Sequence, residues 1–159
     1  MINVLFVCLG NICRSPTAEG LFRDIIAQQG LTSRISVDSA GTSDWHIGQA
    51  PDQRAQETAR SHGIDIGSLR GRQVADDDFK AFDFILAMDT SNFRKLESIC
   101  PLNHRNRLDM FLSFAPELGF LDVPDPYYDD GFEMVFEMLA LASHGLLNHI
   151  QSRDDFCVN

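Results

Sequence analysis

Five residues separate Cys8 from Arg14, and this segment lies between the apolar run 4–7 and a helical pattern. The backbone N–H groups of a loop that leads into a helix converge on one point, where the helix dipole adds roughly half a positive charge. That point attracts a phosphate-like dianion, and the same field favours the thiolate form of Cys8. The spacing therefore predicts an anion site with a nucleophile on one side and a guanidinium on the other.

The length and charge of the chain limit its architecture and its partners. It has 159 residues and a formal net charge of −10. This length is typical of one domain that buries a core without metal or disulfide support, so we predict one catalytic domain over residues 1–159. An acidic protein is a poor binder of nucleic acid or of an anionic membrane. We therefore expect local groups to capture any anionic substrate.

The cysteines indicate an intracellular protein. Their spacing matches neither a metal site nor a secreted disulfide scaffold; they are Cys8, Cys13, Cys100 and Cys157. We expect reduced thiols, no metal and no other cofactor. The amino terminus lacks the features of a signal peptide, and no apolar stretch has the length of a membrane span. We expect a cytoplasmic protein that is a monomer, with at most weak self-association.

The hydrophobic pattern alternates strands with helices. Strands are predicted at 4–7, 35–40 and 82–88, with a weaker one near 107–110. Helical spacing follows each of them. This order predicts an α/β fold of the flavodoxin-like or Rossmann-like kind: a central four-stranded parallel sheet flanked by helices in three layers. Residues 152–159 are expected to form a loosely ordered tail.

Capping residues define the predicted helix ends. For the first helix we predict Ser15 as the N-cap, Pro16 at the first helical position and Gly30 just beyond the end. The second helix is predicted to open at Pro51 and to close at Gly63. The helix after the third strand takes its N-cap from the segment that begins at Asp89.

The topology brings chemistry-bearing residues to one edge of the sheet. In a parallel sheet, ligands bind beyond the carboxyl ends of the strands. Cys8 follows the first strand, Asp89 follows the third, and Asp125 lies in the acidic loop 122–131 before the last helix. We expect all three to face one crevice. Gly10 and Asn11 suit the left-handed backbone of a loop that wraps an anion.

Residues 8–16, CLGNICRSP, strongly resemble the signature of the low-molecular-weight protein tyrosine phosphatases. The resemblance extends over nearly the whole chain, and several spaced motifs in order are more specific than one short pattern. These further motifs are Asp38-Ser39-Ala40-Gly41 with Trp45, Pro51-Asp52, Arg54-Ala55, His62-Gly63, Arg72-Gln73, Met88-Asp89 with Asn92, and Asp125-Pro126-Tyr127-Tyr128.

The resemblance implies a role for each matched residue. Cys8 attacks phosphorus to form a phosphocysteine, Arg14 grips two phosphate oxygens, and Asp125 protonates the leaving phenolate and then activates water. Ser15 donates a hydrogen bond to the leaving sulfur, and Asn11 and Ser39 hold the shape of the loop. The phosphate-binding residues are Leu9, Gly10, Asn11, Ile12, Cys13, Arg14 and Ser15. Phosphotyrosine-containing proteins are the implied partners.

Other residues have two interpretations each. Trp45, Tyr127 and Tyr128 are predicted to form an aromatic wall for a phenyl ring, the alternative being core packing. Cys13 either packs as a small residue or forms a reversible disulfide that protects Cys8 from over-oxidation, provided their Cα atoms lie within about 7 Å. His62 is predicted to brace a loop or cap a helix. The second histidine common in the family is replaced by the segment 68–72, which puts one loop-support hydrogen bond in doubt.

Three alternative functions remain open. Arginine-phosphate phosphatases are similar, but they tend to carry threonine in place of Ile12 and a smaller aromatic set after the Asp-Pro pair. Thiol-dependent arsenate reductases need a relay of further cysteines, and only Cys100 lies in the middle of this chain. A phosphate-binding module without turnover is the third alternative. The presence of Cys8, Arg14 and Asp125 together argues against it.

Overall fold

One parallel sheet organises the protein. The computed structural model describes residues 1–157. Four strands lie in the order β2-β1-β3-β4, all parallel. They are β1 Ile2–Cys8, β2 Ile35–Gly41, β3 Phe84–Ala87 and β4 Leu108–Met110. The predicted four-stranded parallel sheet is therefore confirmed.

The central position of β1 explains its continuous apolar sequence. Alternate side chains of this strand point to opposite layers. Val4 and Phe6 pack with α1 and α6 on one face, whereas Leu5 and Val7 pack with α3 and α4 on the other. All four residues are fully buried. A strand covered on both faces has no polar side, which is why the run 4–7 shows no alternation.

The helices cover both faces of the sheet. They are α1 Arg14–Gln28, α2 Gln53–Ser61, α3 Asp78–Ala81, α4 Thr90–Ile99, α5 Pro126–Asp129, α6 Phe132–Gln151 and α7 Asp154–Cys157. Turns of 3-10 helix occur at Leu102–Arg107, Phe111–Phe114 and Pro116–Leu118. Within the described part of the chain, none of the helices has both the length and the apolar character needed to span a membrane.

The strand order creates a crevice at the carboxyl edge. Along β1, Cys8 pairs with Gly41 of β2 on one side, and Val7 pairs with Ala87 of β3 on the other. The chain passes from β1 outward to β2 and then returns across β1 to β3. The loops after β1 and β3 therefore leave in opposite directions, and such a switch point is where open α/β sheets bind ligands.

Most predicted boundaries agree with the structure to within two residues. Gly30 and Gly63 have the left-handed backbone typical of helix ends, with φ of 69° and 80°. Asp89 caps α4, because its carboxylate accepts from Asn92 N at 2.8 Å. The second helix begins at Gln53, two residues after the predicted Pro51, and its N-cap is Asp52, whose carboxylate accepts from Arg54 N.

The start of the first helix differs from the prediction. Helix α1 begins at Arg14, and its N-cap, Cys13, makes no side-chain capping bond. Ser15 is the second helical residue instead of the N-cap, and Pro16 is the third. The reason is that the Ser15 hydroxyl faces the loop, 3.0 Å from Cys8 Sγ, and does not turn back to its own helix.

The carboxyl-terminal segment also differs from the loose tail predicted over 152–159. Residues 154–157 form the short helix α7. Phe156 is buried in the core, with the Arg34 guanidinium 3.8 Å from its ring centroid. Arg34 also donates a hydrogen bond to the carbonyl of Phe156. This aromatic and cationic contact fixes the segment; residues 158 and 159 lie outside the described part of the chain.

The close approach of β2 to the loop after β1 leads to a stability prediction. A methyl group on Gly41 would lie 2.8 Å from the Leu9 carbonyl oxygen and 3.2 Å from the carbonyl carbon of Gly10. Backbone atoms cannot rotate away as a side chain can. Gly41→Ala should lower the free energy of unfolding by about 1–3 kcal/mol, measured by denaturant titration.

Gly131→Ala is the matched control for this measurement. Its added methyl group would meet Met134 Cε at 3.7 Å, an ordinary van der Waals distance. We expect a change of about 0.5 kcal/mol or less. Equal effects of the two substitutions would contradict the role assigned to the Gly41 contact.

Candidate active site

The loop after β1 forms a cradle that leans on the end of β2. Leu9 O accepts from Ser43 N at 3.0 Å and from Ser43 Oγ at 2.9 Å. Asn11 has a left-handed backbone, with φ of 56°. Gly10 does not, contrary to the expectation that both would. Gly10 is instead tightly packed, since an added Cβ would lie 2.9 Å from His46 Cδ2.

The Asn11 amide holds the loop from three directions. Its Nδ2 donates to Ser15 Oγ at 2.8 Å and to Ser39 Oγ at 2.9 Å. Its Oδ1 accepts from Arg72 N at 3.0 Å. Asn11 thus connects the loop to Ser39 of β2 and to the backbone of Arg72. The segment 68–72, which replaces the second histidine common in the family, contributes a hydrogen bond to the loop through the backbone N–H of Arg72.

Glu19, which was not identified from the sequence, extends these hydrogen bonds into α1. Its Oε2 accepts from Ser39 Oγ at 2.6 Å, and its Oε1 lies 2.7 Å from Arg23 Nη2. Because Asn11 Nδ2 can only donate, Ser39 accepts from Asn11, and the Ser39 hydroxyl hydrogen is directed to Glu19. A signal was present in the sequence: Glu19 interrupts the apolar face of α1, four residues after Ser15.

Burial makes Glu19 an unusual carboxyl group. The side chain is only 3% exposed. Burial raises its pKa above the ordinary value, and this effect outweighs the Ser39 hydrogen bond and the charge of Arg23, which both lower the pKa. A buried carboxyl group of this kind is tolerated where its oxygens are hydrogen-bonded, as they are here.

Two donors face the sulfur of Cys8 at the base of the cradle. Asn11 N donates to Cys8 Sγ at 3.2 Å. The Ser15 hydroxyl lies 3.0 Å from the same atom. Because Ser15 Oγ already accepts from Asn11, its own hydrogen is available for the sulfur. This arrangement stabilises negative charge on Cys8 Sγ, as a nucleophile requires.

Arg14 is a buried cation at the opposite side of the cradle. Its side chain is 2% exposed. The Nη1 atom donates to Asp89 Oδ2 at 2.7 Å and to Val123 O at 2.9 Å. Burial opposes the positive charge, but Cys8 and Asp89 outweigh it and raise the pKa of Arg14. The guanidinium is thereby charged and fixed in orientation.

Asp125 lies at the mouth of the same cleft. One of its carboxylate oxygens, Oδ1, accepts from Tyr127 N at 3.1 Å and caps α5. The other, Oδ2, lies 3.4 Å from Arg14 Nη2. The side chain is 26% exposed, so one face of the carboxyl group remains open to a ligand. Cys8, Arg14, Asp89 and Asp125 converge at the carboxyl edge, as the sequence predicts.

Aromatic side chains surround the opening. Trp45, Tyr127 and Tyr128 are 63%, 44% and 75% exposed, so the core-packing interpretation of these residues is wrong. The rings of the two tyrosines meet edge to face with centroids 5.1 Å apart. His46 also lines the opening and was not identified from the sequence. The cleft is lined by Cys8, Leu9, Gly10, Ile12, Cys13, Arg14, Trp45, His46, Asp125, Tyr127 and Tyr128.

The remaining cysteines have different environments. Cys13 is buried beside the cleft, and burial, followed by the charges of Asp52 and Cys8, raises the pKa of its thiol well above the usual range. Cys100 packs in the opposite layer, with Sγ 3.4 Å from Pro101 O. Within residues 1–157, no group of three or more histidine, cysteine or acidic side chains is arranged to hold a metal ion.

His62 lies away from the cradle and braces two helices. Its ring stacks on Phe136 with centroids 4.0 Å apart, and its Nε2 lies 2.6 Å from Glu133 Oε1. The residue is also the C-cap of α2. The predicted helix-capping position of His62 is therefore confirmed, whereas its side-chain contacts are to α6 and not to a loop.

Comparisons with known proteins agree with this geometry. Residues 3–155 match the model of the low molecular weight phosphotyrosine protein phosphatase family. The low molecular weight protein-tyrosine-phosphatase YfkJ of Bacillus subtilis is 44% identical over 151 residues, which cover 95% of this chain and 97% of YfkJ. The human low molecular weight phosphotyrosine protein phosphatase is 42% identical over 149 residues, 91% of this chain and 93% of that protein.

Solved structures of similar proteins share the fold of this chain. The crystal structure of YfkJ superimposes with a TM-score of 0.93 and 43% identity, covering 97% of both chains. The Drosophila arginine phosphatase DARP superimposes with a TM-score of 0.88 and 31% identity over 97% of this chain and 100% of that chain. The cradle, the fold and the match along residues 3–155 lead to one conclusion: this chain belongs to the low molecular weight phosphotyrosine protein phosphatase family.

Proposed function

We propose that this protein hydrolyses phosphotyrosine monoesters through a phosphocysteine intermediate. The observation that carries the proposal is the convergence of three groups on one cleft. Cys8 Sγ faces two hydrogen-bond donors, Arg14 is buried and charge-paired, and Asp125 is at the mouth. They provide a nucleophile, a phosphate ligand and a proton donor, which are the three requirements of phosphate-ester cleavage.

In the first step, the substrate phosphate binds the backbone N–H groups of residues 9–15 and the guanidinium of Arg14. The Cys8 thiolate attacks phosphorus in line, so the S–P bond forms while the bond from phosphorus to the phenolic oxygen breaks. The protonated carboxyl group of Asp125 gives its proton to that oxygen. The first product leaves as a neutral tyrosine side chain.

In the second step, the Asp125 carboxylate takes a proton from water. The water oxygen attacks phosphorus, the S–P bond breaks, and inorganic phosphate is released. Cys8 leaves as a thiolate, and the Ser15 hydroxyl at 3.0 Å stabilises the charge on the departing sulfur. Asp125 ends the cycle protonated, ready for the next substrate.

The depth of the cleft supports an aryl phosphate. Cys8 is 3% exposed, so the sulfur lies below the rim formed by Trp45, Tyr127 and Tyr128. A phenyl ring is long enough to carry the phosphate down to the sulfur while its faces contact the aromatic rim. The rim side chains are large and amphipathic, which suits a wall for this ring.

Specific observations weigh against the alternatives. Arginine-phosphate hydrolysis is the second candidate, because the Drosophila arginine phosphatase shares the fold; Ile12 and the tyrosine pair favour the aryl substrate. Arsenate reduction needs a relay of further cysteines beyond the loop, whereas Cys100, the cysteine in the middle of the chain, packs in the opposite layer. We further propose that the protein acts as a monomer on phosphotyrosine-containing proteins. We place it in the cytoplasm, since Cys8, Cys13 and Cys100 are free thiols.

A panel of substrates tests the reaction itself. Wild-type protein should hydrolyse phosphotyrosine in preference to phosphoserine and phosphoarginine, and it should not reduce arsenate. Cys8→Ser should abolish turnover, and Asp125→Asn should lower kcat by about 10²- to 10⁴-fold because the leaving oxygen loses its proton donor. Phosphate release from the substrate panel is the measurement. Preferential hydrolysis of phosphoarginine would contradict the aryl assignment, and phosphate binding without any turnover would indicate a binding module.

We assign support of the loop to Asn11, Ser15 and Ser39. Ser39→Ala removes the hydroxyl that donates to buried Glu19 and accepts from Asn11. We expect a loss of about 1–3 kcal/mol in the free energy of unfolding, because two buried polar groups lose a partner. Inhibition by inorganic phosphate should weaken in parallel, since the loop loses its shape.

Ser33→Ala serves as the control for loop support. Ser33 is exposed, so its substitution should change stability by about 0.5 kcal/mol or less. Phosphate inhibition that stays at the wild-type level in Ser39→Ala would argue against the assigned role.

We also propose that Cys13 protects Cys8 by reversible oxidation. Both residues line the cleft. Peroxide converts the Cys8 thiol to a sulfenic acid with release of water. The Cys13 thiol then condenses with it, forming the disulfide and a second water. Because its pKa is raised, Cys13 is mostly a thiol at neutral pH, and this second step should accelerate as pH rises.

Peroxide treatment tests this protection. After peroxide treatment, dithiothreitol should restore most wild-type activity, whereas Cys13→Ser should remain inactive with Cys8 oxidised to sulfinic acid. Mass spectrometry identifies the products, and Cys100→Ser should behave as wild type. Sulfinic acid on Cys8 beside reduced Cys13 in the wild type would rule out the protective disulfide.

A further inference from the structure

We propose that Arg54 is a positioning residue for Asp125, because it clamps the turn that carries this carboxyl group to the loop that carries Cys8. This inference rests on the proposed function. Arg54 is the second residue of α2, and it is absent from the residues that line the cleft. Its effect on catalysis is therefore exerted through the protein and not through substrate contact.

One side of the clamp is tied to the phosphate loop. Arg54 Nε donates to Asp52 Oδ1 at 3.1 Å, and Arg54 Nη2 donates to Asp52 Oδ2 at 3.0 Å. This paired hydrogen bond lowers the pKa of Asp52, so its carboxylate stays charged. The backbone N of Asp52 donates to Ile12 O at 2.8 Å. The guanidinium is thus held at a fixed place relative to the loop.

The other side of the clamp is tied to the turn that contains Asp125. Arg54 Nη2 also donates to Tyr127 O at 3.3 Å. The guanidinium carbon lies 5.5 Å from the ring centroid of Tyr127 and 4.7 Å from that of Phe132. Tyr127 N in turn donates to Asp125 Oδ1 at 3.1 Å. Arg54 therefore holds the residue whose backbone orients the Asp125 carboxyl group.

The clamp completes a two-sided anchor around Asp125. On the preceding side, Val123 N donates to Met88 O at 2.8 Å, and Val123 O accepts from Arg14 Nη1 at 2.9 Å. On the following side, Arg54 binds Tyr127 O. A general acid must lie within hydrogen-bond reach of the leaving oxygen. Loss of either anchor changes its distance from the phosphate.

The test combines Arg54→Met with Asp125→Asn in a double-mutant cycle. Arg54→Met keeps an apolar side chain beside the rings of Tyr127 and Phe132 and removes the planar guanidinium. For phosphotyrosine, we expect kcat to fall by about 10- to 100-fold, the range that a displacement of about 1 Å produces. In the Asp125→Asn background, Arg54→Met should lower kcat by less than about 3-fold, since the effects of residues that act through one another are not additive.

Two further readouts separate positioning from substrate binding. The inhibition constant of inorganic phosphate should stay within about 2-fold of wild type, because the cradle is unchanged. For an aryl phosphate whose phenol is strongly acidic, Arg54→Met should release the phenol in the first turnover at nearly the wild-type rate, because its leaving oxygen needs little protonation.

Arg60→Met is the matched control, since Arg60 is an exposed arginine on the same helix. Arg60→Met should leave unchanged kcat for phosphotyrosine, the inhibition constant of inorganic phosphate and the rate with the ester of the acidic phenol. Arg54 is part of a half-exposed ion pair, and such pairs contribute little to stability, so Arg54→Met should remain folded by circular dichroism. If it unfolds, Arg54→Lys carries the same test, because it keeps the charge and loses the planar fork.

Three results would overturn the inference. They are an unchanged kcat in Arg54→Met, an equal loss in the wild-type and Asp125→Asn backgrounds, and a loss accompanied by weaker phosphate inhibition. Each can occur while wild type still hydrolyses phosphotyrosine, so they leave the proposed function intact. A wild-type protein without phosphotyrosine turnover would overturn the proposed function and, with it, this inference.

Discussion

The buried charge of Arg14 is the constraint on which the rest of the site depends. A guanidinium that is 2% exposed must be balanced by charge and hydrogen bonds, or it would destabilise the fold. Asp89 at the end of β3 and the carbonyl of Val123 provide that balance at 2.7 and 2.9 Å. These contacts join the loops that leave β1 and β3 in opposite directions. The crevice at the switch point is therefore closed around a fixed positive charge, and Asp125 is drawn to its edge.

A second buried charge organises the other side of the loop. The Glu19 carboxylate accepts from Ser39, Ser39 accepts from Asn11, and Asn11 also donates to Ser15. The series of hydrogen bonds ends at the Ser15 hydroxyl group, which faces Cys8 Sγ. The directions of these bonds follow from the Asn11 amide, whose Oδ1 accepts from Arg72 N and whose Nδ2 can only donate. The reactive sulfur and the core of α1 are thus connected by one polar network with satisfied partners, which rigidifies the loop.

The two halves of the site differ in how they are held. The phosphate loop is buried, and its polar side chains are bonded to three separate segments of the chain. The acid turn lies at the surface, where Asp125 is 26% exposed and the tyrosines of the rim are more exposed still. Catalysis by a preorganised cradle requires a buried and firmly bonded loop. Entry of a substrate and release of its phenol require an acid turn at the surface. Anchors on both sides of Asp125 allow the surface turn to keep a defined geometry.

The sequence by itself determined the sheet, the loop after β1 and the capping role of Asp89, because these depend on neighbours along the chain. Apolar runs, capping residues and the spacing from Cys8 to Arg14 are all local. The tertiary structure alone decided the features that depend on distant partners. Arg14 meets the Val123 carbonyl across 109 positions, and Asn11 meets Arg72 across 61. The same reason explains the errors: Ser15 turns toward Cys8 instead of capping α1, and Arg34 holds the tail through Phe156. Local propensity is overridden wherever a side chain finds a better partner in the folded chain.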